Sequence, residues 1–203
     1  MNNKRFIAYF IDFVIMLALL YLLALILPSN QNVGILQNEI NDSLNSFLTN
    51  KISFTTFINR YAISYHSLML NVVHINVITL ILLFIYYVIT PLYNSGQTIG
   101  KKITKIKIVS SKGELTRTKL FTRALFINGL MYTLLSIILL YTSSGLSYFL
   151  LVSLLAALQI IFILVNILIL VYKKNNKTIH DKISFTNVIE GNGELWESLV
   201  NKN

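Results

Sequence analysis

Long uninterrupted apolar runs dominate the chain and set the first prediction. A membrane-spanning helix needs about 20 mainly apolar residues, because the hydrocarbon core is about 30 Å thick and a helix rises about 1.5 Å per residue. Four runs are long enough, and they predict spanning helices over residues 6–27, 68–89, 120–141 and 146–172. A tight TSSG turn joins the last two runs into a helical hairpin. The pattern therefore predicts an all-α integral membrane protein built as a four-helix bundle.

The segment 28–67, between the first two spans, shows a different periodicity. Its apolar residues recur at helical spacing in two groups, Leu36, Ile40, Leu44, Phe47 and Leu48, and Phe54, Phe57, Ile58, Tyr61 and Tyr65. Such stripes predict two amphipathic helices, which lie on the membrane surface or cover the bundle. No internal repeat is evident in the chain, which argues against an inverted-repeat transporter.

The distribution of charge predicts the orientation. Only 12% of the 203 residues are charged, against about a quarter in soluble proteins, and the chain has no Cys. Basic residues cluster before the first span, in the loop 91–119 and after the fourth span, whereas the segment 28–67 holds only Lys51 and Arg60. Because cytoplasmic loops are enriched in Lys and Arg, both termini and the loop 91–119 are predicted to be cytoplasmic. The net charge of +9 then reflects topology and anionic lipid at that face, so a nucleic acid partner is not indicated.

One carboxylate, Asp12, interrupts the first apolar run. An Asp at the centre of a span costs about 2.5–3.5 kcal/mol on insertion scales, so it is expected to face the bundle interior and to have a partner. Arg5 lies seven residues earlier, two turns away on the same helical face. Arg123 in the third span and Asn166 in the fourth lie near the same depth. These residues either hold the helices together or form a site for a proton or a cation, and the composition leaves both interpretations open.

Two polar segments follow the second and fourth spans. In the loop, GQTIGKK has only three residues between Gly96 and Gly100, and Lys102 stands where a phosphate-binding loop needs Ser or Thr. Nucleotide hydrolysis is therefore not indicated. The alternation from Ile103 to Ile108 predicts a short hairpin or an interfacial segment. In the tail, KTIHDKISFTNVI places Asp181 beside the membrane, where it either lies at the interface or folds back into the cluster around Asp12.

Together these blocks resemble the RDD family of multi-pass membrane proteins, which is named for one Arg and two Asp. RFIAYFID matches the family's R-x-x-A-x-x-I-D, GQTIGK its G-x-T-x-G-K loop, and HDKISFTNV its closing H-D-x-x-x-x-T-x-V. The matching residues are Arg5, Asp12, Gly96, Thr98, Gly100, Lys101, His180, Asp181 and Thr186, and Arg123 stands where the family tends to have an Arg. Ile99 departs from the pattern, since the family usually has Pro there.

The resemblance implies a membrane domain over residues 1–190, followed by a cytoplasmic tail over residues 191–203. It also implies transport of an unidentified ligand, and sodium/proton antiport has been attributed to some members. The first functional hypothesis is a transporter or transport accessory of a prokaryotic cytoplasmic membrane, with Asp12 as the proton or sodium site. Arg5, Arg123 and Asp181 would assist it.

The second hypothesis is a scaffold or assembly factor that transports nothing and binds lipid or a protein partner through its basic loop. Four helices are few for a carrier, so a transporting form is expected to pair with a second copy or another membrane protein. No feature of the sequence indicates an enzyme, a cofactor or a metal site.

Overall fold

The computed structural model describes residues 2–26, 31–172 and 177–191, and helices predominate in it. In chain order the elements are α1 (Asn2–Ile26), α2 (Gln31–Leu48), α3 (Phe54–Asn71), α4 (Val73–Phe84), a π-helical segment (Ile85–Ile89), α5 (Thr90–Tyr93), α6 (Ile99–Ile103), β1 (Ile106–Ser110), α7 (Arg117–Ile127), α8 (Leu130–Thr142), α9 (Gly145–Tyr172), α10 (Ile179–Ile183) and β2 (Thr186–Glu190). Apart from Gly191, the predicted tail lies outside the described residues.

Within the described chain, three helical stretches are long and apolar enough to cross a membrane: Asn2–Ile26, Val73–Tyr93 and Gly145–Tyr172. A fourth crossing exists if α7 and α8 count as one broken span, since they meet at 74°. The expectation of one continuous helix over 120–141 is therefore wrong. The helix breaks at Gly129, whose φ of +74° is a left-handed conformation that glycine adopts at little cost.

The predicted second span starts too early, because α3 continues to Asn71 and the apolar crossing begins only at Val73. Both helices predicted in the segment 28–67 are present as α2 and α3, and they pack against each other. Ser53 caps α3 by accepting a hydrogen bond from the Thr56 N–H. Stacked rings of Phe47 and Phe57, with centroids 4.9 Å apart, join the two helices. The other face of α3 packs against α9.

The loop 91–119 and the segment that follows α9 meet in a two-stranded antiparallel sheet, an element that the all-α prediction did not include. β1 pairs with β2 so that Ile108 lies opposite Val188. The predicted alternation is real from Ile106 onward, whereas Ile103 belongs to α6. Alternate side chains of the strands, Ile106, Ile108 and Val188, are buried against the helices in the main hydrophobic core. The sheet therefore forms a cap over one end of the helices.

A short internal repeat builds this cap, so the expectation of no repeat is wrong for this unit. TIGKKITKIKIV (98–109) and TIHDKISFTNVI (178–189) each begin with a Thr of nearly the same backbone conformation, with φ −82° and ψ 173° at Thr98 and φ −79° and ψ 173° at Thr178. A short helix follows in each, then a residue with positive φ, Lys105 or Phe185, and then the strand. Ile108 and Val188 occupy the same position in the two units, and they lie opposite each other in the sheet. An approximate twofold axis therefore relates the two units.

Cysteine labelling tests the predicted orientation. Lys112, in the turn after β1, and Asn41, on α2, are both exposed, and the chain has no Cys to give a background signal. In intact cells we expect a membrane-impermeant maleimide to label Asn41→Cys, and to label Lys112→Cys only after permeabilisation. Labelling of Lys112→Cys from outside would reverse the predicted arrangement.

Candidate functional site

One narrow face of α1 carries both of its buried charges. Arg5, Ala8, Asp12 and Met16 are buried at spacings of three and four residues, whereas most of the other side chains of α1 are exposed or half-buried. Asp12 is only 1% exposed. A charge buried this far is costly unless partners surround it. Those partners come from the cap and from the π-helical segment.

Four donors surround the carboxylate of Asp12. Its Oδ1 accepts hydrogen bonds from the Tyr86 hydroxyl at 2.6 Å and the Gly100 N–H at 2.8 Å. Its Oδ2 accepts one from the Thr98 hydroxyl at 2.6 Å and faces the Lys101 Nζ at 3.4 Å. Two donors on each oxygen suit an ionised carboxylate, which only accepts hydrogen bonds. The arrangement fastens α6 to α1.

Gly100 permits this close approach. A Cβ atom at this position would lie 2.3 Å from the Ala8 carbonyl oxygen and 2.7 Å from Oδ1 of Asp12. Neither neighbour can give way, because one is helix backbone and the other is held by its own hydrogen bonds. Gly96, the other glycine of the loop motif, has a different role. Gly96 has a φ of +80° and shapes the turn before α6, where its carbonyl accepts from the Ile108 N–H at 2.8 Å.

The second carboxylate, Asp181, lies in the other cap unit and binds both arginines. Arg5 donates to its Oδ2 and Arg123 to its Oδ1, and the Thr178 hydroxyl and N–H add bonds of 2.8 and 3.1 Å. Burial alone would raise the pKa of Asp181, but the charges of Arg123 and Arg5 outweigh it and hold that pKa well below the usual range. Arg123 also donates to the Thr186 hydroxyl at 2.8 Å. This ion pair therefore joins α1, α7 and the tail.

Asn166 on α9 holds the neighbouring His180. Its Oδ1 accepts from the Ile179 N–H at 3.2 Å and lies 3.0 Å from Nδ1 of His180, and its Nδ2 donates to the Phe162 carbonyl at 2.8 Å. Since an amide oxygen cannot donate, Nδ1 of His180 carries the proton. Burial, and then the positive charge of Arg123, lower the pKa of His180 well below its ordinary value. His180 is therefore neutral at physiological pH.

The structure divides the predicted cluster into two carboxylate sites. Lys101 pairs with Asp12, and Asp181 lies between Arg5 and Arg123. Asp181 therefore lies against the helices, where it binds the two arginines, whereas the donors around Asp12 form a separate site. His74 lies away from both carboxylate sites. It is exposed in the first turn of α4, about 18 Å along the helix from Tyr86 by helical rise.

Sequence reasoning missed two partners of the carboxylates, Tyr86 and Thr178. Tyr86 gave no signal, because an aromatic residue within an apolar run looks like ordinary core. Thr178 could have been found by aligning the two cap units, which places it at the position of Thr98. The threonine hydroxyl donates to a carboxylate in both units.

Apolar helices of spanning length, with buried ion pairs at one end, define a multi-pass membrane protein. The model of the RDD family matches residues 3–184, most of the chain, and the protein belongs to that family. The family that the motifs predicted is thereby confirmed. Neither the curated proteins nor the solved structures gave a match.

Gly100→Ala tests the close approach of α6 to α1. We expect the variant to lose about 1–3 kcal/mol of stability, because its methyl group overpacks a site bounded by backbone. Gly34→Ala is the matched control. Gly34 lies within α2 and has open space around it, so alanine there should be neutral or stabilising. Thermal unfolding in detergent measures both, and an unchanged midpoint for Gly100→Ala would contradict this packing.

His180→Gln tests the buried neutral imidazole. With a lowered pKa in the folded state, His180 takes up a proton mainly after unfolding, so stability falls as the pH drops below about 6.5. At pH 5.5 the loss from this group is about 1 kcal/mol. We expect the wild-type thermal midpoint to fall more than that of His180→Gln between pH 7.5 and pH 5.5. Equal falls would show that His180 takes up its proton in the folded protein.

Proposed function

We propose that the protein is a transporter or transport accessory of a prokaryotic cytoplasmic membrane, with both termini cytoplasmic. It exchanges protons for a cation such as sodium, and Asp12 and Lys101 form the exchange site. The observation that carries this proposal is their buried ion pair, whose Lys101 also lines a cavity between the helices. Buried ionisable groups in membrane helices commonly mark ion pathways.

The two carboxylates suit different tasks. Asp181 binds two arginines, which keep their protons at all physiological pH values, so this pair is permanently charged and acts as a structural link. The partner of Asp12 is a lysine at the longer distance of 3.4 Å. Burial lowers the pKa of Lys101 below its ordinary value, with Asp12 opposing and Arg123 and Arg5 adding to the effect. A lysine so placed can release its proton.

Exchange follows from charge balance. When Lys101 loses a proton to water in the cavity, the carboxylate of Asp12 loses its counter-charge. A monovalent cation restores neutrality, with the oxygens of Asp12, Thr98 and Tyr86 as ligands, which are the oxygen types that hard cations prefer. One proton leaves for each cation that enters, and the reverse step expels the cation when Lys101 is protonated again.

The scaffold remains the second candidate function, and one observation favours it. The donors to both carboxylates fasten separate parts of the chain to the spanning helices, as an assembly device requires. The basic loop 91–119 would then bind lipid or a protein partner. The two functions differ in whether the carboxylate of Asp12 must exchange its partner, protonated Lys101, for a cation during activity. A transporter of this size also implies a second copy or another membrane subunit as partner.

Flux measurements in proteoliposomes of the pure protein separate the two functions. We expect a sodium gradient to drive proton movement in wild-type vesicles, and Asp12→Asn to fold normally and lose that movement, because an amide cannot ionise. Lys101→Arg should lose it too, since arginine keeps the positive charge but does not release its proton. Asp42→Asn is the control, an exposed acid on α2. A stable Asp12→Asn protein with full exchange would exclude this site and favour the scaffold.

A further inference from the structure

A cavity of about 70 Å³ lies beneath the cap, between α1, α7 and α9. Its volume corresponds to a few water molecules, which is also the scale of a small anion. Three cations contribute to its lining, Arg5, Lys101 and Arg123, and all three are largely buried. The carboxylates that pair with them, Asp12 and Asp181, are not among the lining residues.

Among the described side chains, the charges around the cavity do not cancel. Three cations face two carboxylates, and His180, which also lines the cavity, is neutral at physiological pH. These described residues together carry one net positive charge within a site largely shielded from solvent, where electrostatic interactions are stronger than in water. A bound anion would neutralise this excess.

The lining also offers hydrogen-bond donors. Among the described residues, both bonds of Arg123 use its Nη1, so the Nη2 and Nε groups remain available. Lys101 donates to Asp12 and Thr98, and its ammonium group has a third N–H. Guanidinium and ammonium donors that converge on one space suit phosphate oxygens.

On the membrane side, apolar side chains form part of the wall. Asn2 donates to the Leu170 carbonyl at 2.6 Å and so joins the start of α1 to the end of α9. Deeper along the two candidate spans, Phe6 and the half-buried Ile163 and Ile167 line the cavity. A ligand in the cavity would therefore have its charged end among the cations at headgroup depth and its apolar part toward the hydrocarbon.

We propose that this cavity binds the phosphate group of an anionic phospholipid, with its acyl chains against α1 and α9. Basic pockets between spanning helices are suited to lipid headgroups. Free inorganic phosphate could bind the same cations. It would not, however, contact the apolar side chains of the cavity, which is why a lipid is favoured. The binding does not depend on whether Asp12 and Lys101 exchange ions.

The test measures binding to the purified, delipidated full-length protein. Native mass spectrometry reports phosphatidylglycerol, and calorimetry reports inorganic phosphate. Lys101→Gln removes a cation, Lys101→Arg retains it, and Ile167→Trp narrows the apolar side of the cavity. Leu168→Trp is the matched control, because Leu168 is the next residue on α9, is 54% exposed and does not line the cavity.

We expect Lys101→Gln and Ile167→Trp to weaken phosphatidylglycerol binding about tenfold, and Lys101→Arg and Leu168→Trp to retain it. Lys101→Arg thus separates the two proposals, because it should lose ion exchange and keep lipid binding. If phosphate is the physiological source, phosphate should bind with equal affinity to wild type and Ile167→Trp, and should weaken with Lys101→Gln. Phosphatidylglycerol binding that none of the variants alters, with no binding of phosphate, would overturn the proposal.

Discussion

The carboxylate of Asp181, between Arg5 and Arg123, is the constraint on which the arrangement of the helices depends. Both arginines are largely buried, and they repel each other unless an acid lies between them. Removing one partner from such a buried pair costs about 3–5 kcal/mol, because an uncompensated charge is left behind. The acid comes from the tail, the arginines from α1 and α7. The bundle can therefore bury its charged end only after nearly the whole chain has been placed.

The two cap units use the same backbone with opposite charges. In the first, the long helix supplies the acid, Asp12, and the cap supplies Lys101. In the second, helix α7 supplies Arg123, and the cap supplies Asp181 at the position that aligns with Lys101. An exchange of the two units would bring like charges together, at a cost of several kcal/mol. The reversal therefore distinguishes the two units, although they share one local structure: the first binds the acid of α1, and the second binds the arginines of α1 and α7.

Features that depend on neighbouring residues, such as apolar runs, could be predicted from the sequence. The face of a helix on which a side chain finds its partners could not. Hydropathy located the first and fourth spans to within a few residues, and the buried charges of α1 stood out as exceptions. Depth along the helix axis placed Arg123 near Asp12, but depth does not specify which way a side chain points. The break at Gly129 lies within a continuous apolar run, so hydropathy cannot register it. The pairing of β1 with β2 joins segments far apart in the chain, which local periodicity cannot predict.

Lys101 connects the two proposed activities, because it pairs with Asp12 and also lines the phosphate cavity. If Lys101 lost its proton, the cavity would lose its net positive charge, and an anion would bind there more weakly. By linkage, a bound anion must stabilise the protonated lysine to the same extent. The anion would thereby keep Asp12 paired and oppose entry of a cation. A lipid phosphate in the cavity would thus set the pH at which exchange begins, without any contact to Asp12 itself.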